Sequence, residues 1–216
     1  MDVSNNALRE QIVNSCKNMN ASGLNQGTAG NISVRQDNGM LITPSGIAYD
    51  QMEIDDLVFV DDNGDFDESK IPSSEWRFHL ACYHTRKDIN AVVHNHAMYS
   101  TIVSILNKPI PAIHYMIGAA GGNSIPVVDY ATYGTPELSK LVSEGVKNSK
   151  AILLRHHGMI ATGDSLDKAM WLAVEVEALA QMYVNLLQIT ATPDCLPDEE
   201  IAVVLKKFVN YGLREK

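Results

Sequence analysis

The stretch Ala91-Val92-Val93-His94-Asn95-His96-Ala97 runs a β-favouring apolar segment straight into two histidines one residue apart. In a strand, successive side chains point to opposite faces, so residues i and i+2 share a face about 6.6 Å apart. Two imidazoles on one face at a strand's end can converge on a single ion, with Zn–N distances of about 2.0–2.1 Å. The competing reading is a hydrogen-bonded histidine pair without metal, and the rest of the chain has to discriminate between them.

The chain has 216 residues, enough to bury a substantial core as one domain over 1–216 without disulfides. Its 45% hydrophobic and 20% charged content is that of a globular protein. A formal net charge of −9 argues against a nucleic-acid surface and offers no basic patch for a membrane. An acidic chain that handles a phosphate must do so locally, with backbone N–H groups, a metal or a few side chains. Cys16, Cys82 and Cys195 are widely spaced and form no C-x-x-C, which reads as reduced thiols in a cytoplasm. No signal peptide is visible at Met1-Asp2-Val3-Ser4, and no apolar run approaches the ~20 residues of a membrane span.

Periodicity and breakers predict helices over 4–22, 74–86, 97–106, 135–148, 165–188 and 198–210. Strands are predicted over 32–34, 40–42, 57–60, 91–96, 124–128 and 151–154, with Asp37-Asn38-Gly39 as a hairpin turn. Strands and helices mix without strict alternation, so an α+β fold, a mainly antiparallel sheet covered by helices, fits better than a doubly wound one.

A catalytic zinc takes three protein ligands and keeps one position open. Beyond His94 and His96, the best third ligand is the pair His156-His157, which also ends an apolar strand beside a glycine. Alternation lets only one of that pair face the ion, and spacing does not say which. His79, His84 and His114 are rivals, the first two lying on a predicted helix where a core or solvated histidine is the commoner role. Glu75 has two readings of equal weight. It is a first-turn acid favoured by the helix dipole, or a general base and displaceable fourth ligand. Ser73 and Ser74 are helix caps, or donors at a phosphate-binding helix start. Gly30-Asn31 and Ser45-Gly46 offer similar small polar loops, and none matches a nucleotide-binding fingerprint.

Five motifs in order carry a resemblance: Asn25-Gln26-Gly27-Thr28-Ala29-Gly30-Asn31, Ile42-Thr43-Pro44-Ser45-Gly46, Pro72-Ser73-Ser74-Glu75, His94-Asn95-His96 and His156-His157-Gly158. Together with Pro111-Ala112-Ile113-His114-Tyr115-Met116 they resemble the class II aldolase/adducin superfamily, from about Leu8 to Leu213. The resemblance implies the layered α/β/α form of the α+β class. It further implies a zinc enzyme of fucose catabolism that reversibly cleaves L-fuculose 1-phosphate to dihydroxyacetone phosphate and L-lactaldehyde. By the same resemblance His94, His96 and His157 are the zinc ligands, with Glu75 as fourth ligand and base. The phosphate falls among Gly30, Asn31, Ser45, Gly46, Ser73 and Ser74. Tyr115 becomes an acid/base from a neighbouring subunit of a homotetramer, and Tyr133 and Tyr211 close the site. Two positions depart from the family's pattern: Tyr133 stands for a phenylalanine and Ser45 for a threonine. The superfamily also holds sugar-phosphate 4-epimerases, which carry aspartate at the position of Glu75, and non-catalytic adducin-like interaction domains, which are expected to lack the metal ligands.

Overall fold

The computed structural model describes residues 3–208. The order of elements is α1 (Val3–Ala21), β1 (Asn31–Gln36), β2 (Gly39–Ile42), β3 (Val58–Asp61), α2 (Trp76–Thr85), β4 (Ala91–Asn95), α3 (Met98–Leu106), β5 (Val127–Val128), α4 (Pro136–Val146), β6 (Ala151–Leu154), β7 (Gly158–Gly163), α5 (Leu166–Ile189) and α6 (Asp198–Phe208). One seven-stranded sheet runs β3-β2-β1-β4-β7-β6-β5. Every neighbouring pair is antiparallel except β5 with β6. The α+β class and the mainly antiparallel sheet are those expected from the sequence.

Alternation along the strands sorts the core into two layers. Val92, Ile152, Leu154 and Ile160 pack on one face with Phe78, Leu80, Cys82 and Tyr83 of α2 and with Leu138 and Val142 of α4. Ala91, Val93, Leu153 and Ala161 pack on the other with α1 and α5, through Ile12, Cys16, Leu172 and Val176. His94 is two residues from Val92 and so belongs to the α2 face. That parity places the first histidine of the motif under the start of α2.

The helix starts follow ordinary chemistry where the site makes no demand. Thr135 caps α4 by accepting from Leu138 N–H at 3.3 Å, with Pro136 in the first turn. Ser165 does the same for α5 from Lys168 N–H at 3.4 Å. The start of α3 has no side-chain cap of its own. Glu177 on α5 serves instead, accepting from the N–H groups of Tyr99 and Ser100 at 2.8 Å each. This ties the helix that follows His96 to the long helix behind the sheet.

Strand β7 is absent from the sequence-based expectation. Gly158-Met159-Ile160-Ala161-Thr162-Gly163 is buried on both faces over most of its length, so it shows no alternation of polar and apolar residues to read. The predicted strand over 124–128 shrinks to Val127–Val128 plus an isolated bridge from Ile125 to Ile110. The β1–β2 hairpin turns on Asp37, at φ 47°, and Asn38, while Gly39 is already paired with Gln36. Tyr211 and the C-terminal end of the predicted 198–210 helix lie outside the described residues.

Candidate metal centre

Neighbouring strands bring the histidines together. His94 sits in β4, paired with Asn31 of β1 on one side and Ile160 of β7 on the other. His96 follows directly after β4. His157 lies in the turn joining β6 to β7, its N–H donating to Leu154 C=O at 3.0 Å. Within that turn His156 adopts φ 56° and is exposed, whereas His157 turns inward. A single left-handed residue therefore selects which member of the pair faces the cluster, a choice that spacing leaves open.

The ligand-capable atoms of His94, His96 and His157 all lie within 4.8 Å of one another. His94 Nε2 is 3.1 Å from His96 Nε2. Around a tetrahedral ion with metal–nitrogen distances near 2.05 Å, ligand atoms stand about 3.3 Å apart. The three rings meet edge to face, with centroids 4.8 to 4.9 Å apart. His94 Nδ1 donates to Met159 C=O at 2.9 Å, which leaves Nε2 with its lone pair toward the cluster.

Glu75 is the N-cap residue of α2, and its side chain makes no capping hydrogen bond. A carboxylate at this position ordinarily accepts from the helix's own N–H groups. Here it is 4% exposed and turned toward the histidines, with Oε2 3.2 Å from His94 Nε2 and Oε1 3.2 Å from His157 Nε2. No donor is aimed at Oε1. Burial pushes the Glu75 carboxyl up, but the imidazoles of His94 and His157 beside it hold it well below the usual carboxylate range. Three imidazole nitrogens thus cluster within 4.8 Å of one another, with the buried Glu75 carboxylate against two of them, His94 and His157, and that donor set fits a divalent metal.

Around this cluster the other predicted residues separate. The segments holding Ser45 and Ser73 are bridged backbone to backbone, Ser45 N–H to Ile71 C=O and Ser73 N–H to Thr43 C=O at 2.9 Å each. Ser45, Gly46, Ser73 and Ser74 therefore sit on adjacent loops. Ser74, Thr28, Ala29 and Tyr133 line a cleft of about 340 Å³ with Glu75, His96 and His157. Gly30 packs against its surroundings, since a Cβ there would lie 2.7 Å from His94 C=O. Asn31 is 4% exposed and its amide is committed inward, between Glu75 and His79. Tyr115 is 45% exposed and lines a different groove with Leu196, Glu200 and Lys207, away from the cleft of its own chain. His84 is half-exposed beside Asp62, and His114 caps the short 3-10 turn at 115–120. Neither belongs to the cluster.

Sequence reasoning missed Asn25, Tyr130 and the role of His79. Asn25 is 3% exposed and its Oδ1 accepts from His96 N–H at 3.4 Å, holding the second histidine's backbone. Tyr130 lines the cleft beside His156. Glu75 at the N-cap and His79 and Tyr83 on α2 recur at four-residue spacing, a polar stripe on a buried face that the sequence does display.

Two predictions arise from this packing. Gly158 approaches β4 so closely that a Cβ would lie 2.4 Å from Asn95 C=O and 2.9 Å from His96 Cδ2. Gly158→Ala is expected to cost about 1–3 kcal/mol of stability and to weaken metal binding, read by denaturant titration and metal analysis. Wild-type values for both would refute the close approach. The second concerns pH. Burial, then the charge of His94, lowers the pKa of His79 to about 3. Burial, then His94 and His157, does the same for His96, also to about 3. The unfolded chain takes protons below about pH 6.5 that the folded chain refuses, so stability is complete above that value and falls as pH drops toward about 3. The denaturation midpoint of metal-free protein should fall between about pH 7 and about pH 5. A level or rising midpoint would contradict this.

The fold and site define a class. The chain belongs to the family described as class II aldolase and adducin N-terminal domain, whose model matches residues 10–184. It is 61% identical to the L-fuculose phosphate aldolase of Escherichia coli (strain K12), covering 97% of each chain. It is 52% identical to the 5-methylthioribulose-1-phosphate/5-deoxyribulose-1-phosphate aldolase of Escherichia coli O45:K1 (strain S88 / ExPEC), over 96% of this chain and 97% of that one. A solved L-fuculose 1-phosphate aldolase superposes with a TM-score of 0.90 at 38% identity, covering 93% of this chain and 95% of the other.

Proposed function

We propose that this chain is a zinc-dependent class II aldolase that reversibly cleaves L-fuculose 1-phosphate to dihydroxyacetone phosphate and L-lactaldehyde. The observation that carries the reading is the clustering of His94, His96 and His157, with the buried carboxylate of Glu75 against His94 and His157. The 61% identity to enzymes named for this substrate supports the choice of sugar phosphate. An adducin-like interaction domain would be expected to lack the ligands that are all present here. Glu75 itself favours an aldolase over an epimerase, which carries aspartate at this position by resemblance.

His94, His96 and His157 would hold the cation, with Glu75 as a fourth, displaceable ligand. When bound, the cation supplies positive charge opposite the oxygens that gain negative charge as the carbon–carbon bond breaks. Glu75 carries the proton at carbon: it returns a proton to the hydroxymethyl carbon of the three-carbon fragment in cleavage and removes it in condensation. Tyr115 of a neighbouring copy carries the proton at the oxygen of the departing aldehyde, in keeping with its position outside its own chain's cleft. By the family resemblance the phosphate is received by Gly30, Asn31, Ser45, Gly46, Ser73 and Ser74, although both ends of the Asn31 amide are engaged here by Glu75 and His79. Tyr133, 66% exposed at the cleft, closes it together with Tyr211. The assembly in this reading is a cytoplasmic homotetramer. Among the described residues no helix is long and apolar enough to cross a membrane.

The test is a cleavage assay on L-fuculose 1-phosphate beside 5-methylthioribulose 1-phosphate and L-ribulose 5-phosphate, with metal analysis of the same preparation. Chelator-sensitive cleavage of the first, restored by zinc, is expected. Preference for the second would reassign the aldehyde. Epimerisation of the third without cleavage would overturn the aldolase reading.

A further inference from the structure

Behind Glu75 lies a buried line of polar side chains whose hydrogen-bond directions can all be assigned. Asn31 Nδ2 lies 3.0 Å from Glu75 Oε2. An ionised carboxylate only accepts, so Asn31 must present its amino group to Glu75 and its carbonyl oxygen to the other side. That oxygen lies 2.5 Å from His79 Nε2. It too only accepts, which places the single proton of a neutral His79 on Nε2. His79 Nδ1 is then an acceptor, and the Ser33 hydroxyl 2.7 Å away must donate to it. Ser33 Oγ in turn accepts from the Tyr83 hydroxyl at 2.7 Å. Four hydrogen bonds therefore run one way, from Tyr83 through Ser33, His79 and Asn31, and end on one oxygen of Glu75.

The line is built to be stiff. Ser33 and His79 are 0% exposed and Tyr83 1%. The His79 ring stacks on Phe78 with centroids 4.8 Å apart and planes 17° from parallel. His79 and Tyr83 share one face of α2, with Glu75 at its N-cap, while Asn31 and Ser33 share one face of β1, so the links come in turn from the helix segment and the strand. The low pKa of His79 agrees with a neutral ring. Links of this kind polarise one another, and a fully satisfied buried line specifies a single geometry.

We infer that His79 is a positioning residue. Acting through Asn31, it pins Glu75 Oε2 and leaves Oε1, 3.2 Å from His157 Nε2, as the oxygen without a donor. The inference rests on the reading of Glu75 as base and displaceable ligand. Its consequence is a division of labour within one carboxylate, Oε2 anchored by the protein and Oε1 available to metal or substrate.

The test uses full-length protein, three variants in the line and Glu75→Gln as the reference for the base. His79→Phe keeps the ring and its stacking but removes both nitrogens. His79→Gln offers one donor and one acceptor in the same order. Tyr83→Phe removes only the terminal hydroxyl and guards against loss of folding in the first. Three readouts apply to each, Glu75→Gln included: kcat, KM, and zinc affinity by chelator competition. His79→Phe should lower kcat about ten- to a hundredfold with KM within about twofold, and weaken zinc about tenfold. His79→Gln should recover most of both losses, and Tyr83→Phe should lie between wild type and His79→Phe. If Glu75→Gln is inactive while His79→Phe and Tyr83→Phe match wild type in kcat and zinc affinity, the positioning role is wrong. Failure of His79→Gln to recover anything, with all three variants equally destabilised, would likewise reduce the line to a structural element. Full turnover in Glu75→Gln would instead remove the base reading itself.

Discussion

Glu75→Gln is expected to lower turnover by about three orders of magnitude, within the range for loss of a general acid–base group, while the protein still takes up metal. The amide matches the carboxylate in shape and can still accept from Asn31 Nδ2, which lies 3.0 Å from Oε2. It cannot remove a proton from carbon. The three imidazoles remain, so metal is retained, though less tightly because a neutral oxygen replaces an anionic one. Turnover at saturating substrate and metal content of the same sample check this. Equal turnover in wild type and variant would take Glu75 out of the chemistry.

His94→Ala is expected to lose the metal and, with it, measurable cleavage. His94 is 0% exposed and makes the central contacts of the cluster, 3.1 Å from His96 Nε2 and 3.2 Å from Glu75 Oε2. Removing it leaves two imidazoles and a carboxylate with no common point fixed by β4. Charge stabilisation by a bound metal is worth several kcal/mol, and each ~1.4 kcal/mol is a factor of ten in rate, so a loss of at least about three orders follows. His156→Asn is the matched control. His156 is exposed and sits at φ 56°, a conformation asparagine tolerates, so that variant should keep both metal and activity. Metal loss in His156→Asn and retention in His94→Ala would invert the assignment of the ligands.

The two predictions differ in what they probe. Glu75→Gln keeps the cluster and removes a proton acceptor, whereas His94→Ala removes the cluster's centre. Metal content separates them even if both variants are inactive.

Much of this site is legible in the sequence, and the reasons are local. A β-favouring run ending in His-x-His has one geometry, because side-chain alternation in a strand is fixed by the backbone. The pair His156-His157 beside Gly158 marked a second strand end. The small polar loops around Gly30, Ser45 and Ser73 are recognisable as turns, although the N–H groups of Ser45 and Ser73 are engaged by Ile71 and Thr43 in the fold. Helix starts at Thr135 and Ser165 carried their own caps.

What the chain alone left open was decided by contacts between distant segments. Nothing near His156 and His157 says which faces inward. The choice follows from closing β6 onto β7 beside β4, which puts His156 in the left-handed region and Gly158 against Asn95. In the sequence Glu75 reads equally well as a helix-start acid, and the fold decides, because α2 lies on the face of the sheet that carries His94. There its carboxylate leaves the helix uncapped and joins the histidines. The pairing of β1 with β4 puts Asn31 beside His94, and the packing of α2 over that face brings His79 between Asn31 and Ser33. Strand periodicity and helix caps are properties of a few consecutive residues, so the sequence determines them. Which imidazole turns inward, and which oxygen of Glu75 is held, depend on register and layer packing between segments dozens of residues apart, and only the folded chain sets those.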